Sequence, residues 1–226
     1  SIGTESMLAN TTASNNTAVG YHALVANTTG TRNTAVGASA LDANTTADRN
    51  TAVGFNTLTT NTTGSYNTCI GDAALEANTE GHNNVGIGQA SLVANTTGDN
   101  NTAVGTLALD ANTTADNNSC LGDSSLTAVT TGTQNTAIGR AAGSSITTGS
   151  NNTCLGYNSG TTGSPAGAIG SASNIVVIGD TNVANIYAQV SVTATSDERD
   201  KTDIADFTKG LDIVNALRPV TYKWDM

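Results

Sequence analysis

The chain has 226 residues and a formal net charge of −10; 37% of its residues are apolar, 12% charged and only 4% aromatic. Low charge with many small apolar side chains excludes a disordered polyelectrolyte. Before residue 160 the only basic side chains are Arg32, Arg49 and Arg140, which excludes a phosphate-binding groove and electrostatic docking to an anionic membrane.

No stretch approaches the roughly 18 consecutive apolar residues of a spanning helix, so no membrane insertion is expected. With so few large side chains, a compact core of Leu, Phe and Trp cannot hold the chain together. Three cysteines and two histidines (His22, His82) lack the spacing of a zinc site or a disulfide scaffold. No metal and no cofactor is expected, and the histidines are expected in exposed loops.

Internal repetition organises the chain from its first residues. Asn16-Thr17-Ala18-Val19-Gly20 returns as Asn33 to Gly37, Asn50 to Gly54 and, with changes, at every 17th residue until Asn152-Thr153-Cys154-Leu155-Gly156. Four residues after each Gly stands a Leu (Leu24, Leu41, Leu58, onward to Leu126), until Gly143 breaks the column. Seven after each Gly stands an Asn (Asn27 to Asn112), replaced later by Val129 and Ile146, and the next residue is always Thr. Two further on comes Gly or Ala, as at Gly30 and Ala47. Charges such as Asp42, Asp48, Glu76, Asp99 and Asp110 fall in variable slots.

A fixed 17-residue period without helical spacing predicts an all-β fold, a parallel β-solenoid or β-roll with one coil per repeat. Thr-Ala-Val suits a short strand, and the flanking Gly and Asn tolerate the sharp turns around it. Stacked coils bring equivalent residues to ~4.8 Å, so Asn and Thr can bond along the stack in ladders. The many Asn-x-Thr triplets are read as ladder residues.

The Val/Ile/Leu slot (Val19, Ile70, Leu155) and the neighbouring Ala/Cys/Gly slot (Ala18, Cys69, Gly86, Cys120, Cys154) point to opposite faces of one strand, and neither carries a charge. A strand apolar on both faces is expected to be buried on both. One face is assigned to the coil interior. The small face is assigned to a close contact with another subunit. The cysteines then act as small hydrophobes. At two coils or more apart they lie beyond disulfide reach within one chain, while symmetry mates in an oligomer come nearer.

The motif Asn-Thr-Ala-Val-Gly-x-x-Ala-Leu of residues 16–24 resembles the head repeats of trimeric autotransporter adhesins. That resemblance implies left-handed parallel β-rolls trimerising side by side. Seventeen residues exceed the usual repeat of those heads, and an interwoven triple-stranded fibre is the competing geometry.

After Gly156 the register fails. The chain is divided into repeats over 1–159, a Gly/Ser/Thr-rich linker over 160–173, a β-prism stalk over 174–195 and a last segment over 196–226. Within the stalk, Asn174–Asp180 and Asn185–Thr195 read as strands. Leu211, Val214 and Leu217 recur at helical spacing, and Pro219 follows where a helix stops.

Ser196-Asp197-Glu198-Arg199-Asp200-Lys201, followed by Gly210-Leu211-Asp212-Ile213-Val214 and Leu217-Arg218-Pro219-Val220-Thr221-Tyr222, resembles the start of the intramolecular chaperone domain of endosialidases and other phage tail fibres and tailspikes. The segment is shorter than a complete domain of that kind, hence a truncated, α-containing C-terminus. The resemblance implies chaperone-assisted trimerisation and one self-cleavage, with Ser196 as nucleophile and Lys201 as its base. A lysine accepts that proton only when neutral, and Asp197, Glu198, Asp200 and Asp203 favour its charged form.

The expected function is a homotrimeric fibre of a virion tail, or an extracellular adhesin, binding a host cell-surface glycan or protein. The alternatives are an ice-binding or other surface-ordering solenoid and a bacterial trimeric adhesin head. No carboxylate pair stands out from the repeating acidic slots, which disfavours a glycan hydrolase.

Overall fold

The structure, a computed structural model, describes residues 1–185. Ten three-residue strands form one parallel sheet in sequence order: β1 (Thr17–Val19), β2 (Thr34–Val36), β3 (Thr51–Val53), β4 (Thr68–Ile70), β5 (Val85–Ile87), β6 (Thr102–Val104), β7 (Ser119–Leu121), β8 (Thr136–Ile138), β9 (Thr153–Leu155) and β10 (Val176–Ile178). From β1 to β9 each strand pairs with the strand 17 residues on, Thr17 with Thr34 and Ala18 with Ala35. The fold is therefore a β-solenoid of 17-residue coils, with no helix among the described residues. Since each strand's neighbour is the next coil of its own chain, the interwoven triple-stranded geometry does not apply.

The repeat columns map onto fixed places in the coil. The Leu column (Leu24, Leu41, Leu58, Leu75, Leu92, Leu109, Leu126) is fully buried in the interior. Both Asn columns are buried too, and each forms a ladder. Asn44 donates its amide to Asn27 Oδ1 at 2.9 Å and to the Ala47 carbonyl at 3.2 Å; Asn61 and Asn78 continue the pattern. In the pre-strand column, Asn33 accepts from the Asn50 backbone N–H at 2.9 Å and donates to the Ala47 carbonyl at 2.8 Å. No buried side-chain polar atom among the described residues lacks a partner, which makes so many buried amides tolerable. The Thr hydroxyls donate to the next coil's backbone, as Thr62 does to the Thr79 carbonyl at 3.1 Å.

Turning the chain within 17 residues strains the backbone. Each strand runs into a glycine such as Gly37 (φ 142°), where an added Cβ would collide with the Gly54 carbonyl of the next coil. Three non-glycine residues per coil are left-handed as well, for example Arg32 (φ 61°), Ser39 (φ 56°) and Leu41 (φ 53°). That conformation costs roughly 1–2 kcal/mol per residue. Backbone bonds to adjacent coils hold it in place: Leu41 donates to the Thr57 carbonyl at 3.1 Å and Ser39 to the Tyr21 carbonyl at 2.9 Å.

Where Gly143 interrupts the Leu column, Leu126 and Ile146 close over it; a Cβ there would meet Leu126 Cδ2 at 2.6 Å and Ile146 Cδ1 at 3.2 Å. Val129 and Ile146 replace the Asn ladder at this end of the coil stack, and both are buried. The run read as the first stalk strand belongs to the same sheet: Val176 pairs with Thr153, an offset of 23 residues in place of 17. The extra length lies between Gly156 and Asn174, and its Ile169 enters the interior. The second stalk strand and the α-containing C-terminus lie outside the described residues.

Candidate functional site

Alternation along each strand sends the middle residue inward and its two neighbours outward. Ala18, Ala35, Ala52, Cys69, Ala103 and Cys154 are 0–1% exposed. The Val/Ile/Leu slot faces out, with Ile70 41%, Leu121 52%, Ile138 48% and Ile178 46% exposed. This reverses the assignment of the small face to a subunit contact. The reason is the width of the coil: the Leu column already fills the interior, leaving the strand opposite room for Ala, Cys or Gly alone. At Gly86 a Cβ would collide with Leu75 Cδ1.

The cysteines are therefore interior, and no symmetry mate can approach them. Burial pushes the Cys69 thiol up, and those of Cys120 and Cys154 up to about 11. They are inert hydrophobes rather than nucleophiles.

The outer face of the sheet carries two columns. One is Thr in most rows (Thr17, Thr34, Thr51), with Val85, Ser119 and Val176 as variants; the other is Val, Ile or Leu throughout. Neither holds a charge in any of its ten rows, in a chain of net charge −10. An open apolar hollow of about 240 Å³ lies on it, lined by Thr102, Val104, Ser119, Leu121, Thr136 and Ile138.

Two turns flank this face. The turn before each strand presents an exposed left-handed residue: Arg32, Arg49, Tyr66, then Asn83, Asn100 and Asn117 in successive coils. After each strand, the residue following the glycine varies, and includes Tyr21, Phe55, Asp72, Asp123, Arg140 and Tyr157. Arg49 donates to Tyr66 Oη at 2.5 Å and lies 5.0 Å from its ring centre. Arg140 sits 3.3 Å from Asp123 and 5.8 Å from the Tyr157 ring centre.

All four aromatic side chains among the described residues are more than half exposed, in these two turns. The sequence pattern singles out the Val/Ile/Leu slot but neither of these two turn slots. The signal available was that scarce aromatic and basic residues recur in two fixed slots of the 17-residue period.

His22 is half-buried, bridging coils through Glu5 at 2.5 Å and Asp42 at 3.8 Å. His82 is half-buried too; its Nδ1 accepts from the Ser65 backbone N–H at 2.9 Å. Both are ladder partners rather than free loop residues. Ser196 and Lys201 lie outside the described residues, so their geometry forms no part of the site.

The fold and this face define a repetitive β-solenoid with an uncharged, apolar side along its length. Residues 196–225 match the family described as chaperone of endosialidase. The combination fits a tail fibre carrying the start of the chaperone domain. No curated protein and no solved structure matches the chain. No helix long and apolar enough to cross a membrane is present among the described residues.

Proposed function

We propose that the chain is part of a homotrimeric phage tail fibre that attaches to a host cell surface, trimerised with the help of its C-terminal chaperone segment and matured by one self-cleavage there. The observation that carries this reading is the pairing, in one chain, of an uncharged apolar sheet face along a solenoid with a C-terminal match to a chaperone of endosialidase. A face of that kind asks for a partner, and the C-terminal match supports sister chains as that partner. Repeated Asn, Thr and acidic side chains on the remaining surface suit polar contacts to a glycan or protein receptor, weak singly and strengthened by three copies and many coils.

In the maturation step, Ser196 is the nucleophile and Lys201 the base that takes its proton. The four nearby acidic residues hold Lys201 charged in solution, so the dyad requires burial on assembly to become competent. Intact-mass measurement of the expressed protein tests the step. A cut beside Ser196, lost in Ser196→Ala and Lys201→Ala, is expected; an uncut wild-type product overturns it. Attachment is tested by adsorption of the labelled fibre to host cells, with no saturable adsorption as the contrary result.

One observation favours a second reading. Thr and Val alternate outward on a regular parallel sheet, an arrangement suited to ordering water on a surface. Thermal hysteresis of the purified protein separates the two, and the fibre reading predicts none.

A further inference from the structure

Resting on the three-chain reading, we infer that the outer face of β1–β10 is the seam of the assembly, set around a three-fold axis, with the turn before each strand of one copy meeting the turn after that strand in the next. Three observations carry this.

The first is where exposed apolar side chains fall. Every large exposed hydrophobic residue among the described residues, apart from Leu8 and Val183, lies on the sheet face or in its two flanking turns. On the face itself Ile70, Leu121, Ile138 and Ile178, in an outward column made only of Val, Ile and Leu, are 41–52% exposed, and Val176 in the column beside it is 69% exposed; contiguous apolar surface of this kind marks an interaction site.

The second is period. The rows recur at ~4.8 Å, and a partner with any other repeat falls out of step within a few rows. A second copy of this chain keeps step over all ten.

The third is the chemistry of the two flanks. Three flat faces around one axis make a triangular prism whose corners join unlike edges, a heterologous contact that closes. Pure rotation adds no axial offset, so each row meets its own level. Arg49 then meets Phe55, Tyr66 meets Asp72, Asn117 meets Asp123 and Gln134 meets Arg140. These are a cation on a ring, a hydroxyl and an amide donating to carboxylates, and an amide carbonyl accepting from a guanidinium. No paired slots set like charges together: the exposed left-handed slot before the strand carries no acid, and both acids of this set lie in the slot after it. Asp48, Asp99 and Asp116, one residue before that slot, are half-buried and accept from backbone N–H groups of their own chain. All eight side chains are exposed in the single chain.

The test is a cysteine pair in the full chain, Asn117→Cys with Asp123→Cys, treated with a short thiol-to-thiol bismaleimide. The native cysteines are 0–3% exposed and stay out of the reaction. The double variant is expected to give a covalent trimer on a denaturing gel, and either single variant only monomer. A double variant that yields nothing beyond a dimer, or singles that cross-link equally well, overturns the three-fold seam.

Sedimentation of the wild type separates this from the underlying reading. Three chains without the cross-link leaves the fibre standing and removes this seam; a single chain removes both. As a second arm, Leu121→Arg with Ile138→Arg is expected to reduce the particle to single chains with unchanged far-UV circular dichroism, because both residues point away from the coil interior. Thr114→Arg, exposed outside the sheet face and its flanking turns, is expected to change nothing. Three chains retained in the double arginine variant overturns the proposal.

Discussion

Asn78→Ala tests the ladders most sharply. Asn78 is fully buried; its amide donates to Asn61 Oδ1 at 2.9 Å and to the Gly81 carbonyl at 3.1 Å, and its Oδ1 accepts from Asn95 at 2.8 Å. Truncation leaves Asn61 Oδ1 without a donor and one Asn95 amide proton without an acceptor. The Gly81 carbonyl keeps its bond from Asn67 at 2.8 Å, and Asn95 keeps one to Gly98 at 3.1 Å. Two buried orphans at about 1–3 kcal/mol each, with a small void besides, give a loss of about 3–5 kcal/mol. Asn78→Asp costs more near neutral pH, because it removes both donors and sets a carboxylate against two acceptors. Urea unfolding at fixed protein concentration reads the loss as a fall in midpoint with an unchanged m-value, and Thr63→Ala, at an exposed position, stays within about 0.5 kcal/mol. An Asn78→Ala loss below about 1 kcal/mol would refute the reasoning, since the ladder would then be decoration on a stack held by its Leu column.

The interior makes its own predictions. Leu75→Ala is expected to cost about 2–5 kcal/mol as a cavity, and Gly86→Val about 1–3 kcal/mol by collision with Leu75; combined, they are expected to be less damaging than their sum. Gly37→Ala sets a Cβ against the Gly54 carbonyl at φ 142° and is expected to lower the melting temperature more than the same change at Gly167, where a Cβ meets nothing within 4 Å. The thiols predict a pH dependence. Their ordinary value of 9.0 rises to about 11 for Cys120 and Cys154 on burial, so the unfolded chain loses these protons first. Stability from this source is complete below about pH 9 and is lost as pH rises toward 11. Melting curves across that window are expected to show the fall, reduced in a triple Cys→Ala variant; equal slopes in both proteins would count against it.

The period, the strand positions, the Leu interior and the Asn and Thr ladders were legible because each is a column of identical residues at constant spacing, and stacking turns sequence columns into spatial ones. Two features were not. Which strand face points inward depends on what fills the coil opposite, and that is a cross-section property: Gly86 facing Leu75, and Gly143 between Leu126 and Ile146, record it only after the chain is closed. The continuation of the sheet into β10 was hidden because the 23-residue offset breaks the period that made the earlier strands visible. The site was half legible for a related reason. The lack of charge in both strand slots showed that neither face is bare, but the flanking columns vary in identity, and Arg49 and Tyr66 line up on one edge of the face, with Phe55 and Asp72 on the other, only through turns with left-handed residues that no residue type announces.

The measurement that bears most directly on a fibre closed by sister chains is the molar mass of the purified full chain by sedimentation equilibrium. Three chains per particle, held to high dilution, is the predicted result. A single chain at every concentration would contradict it.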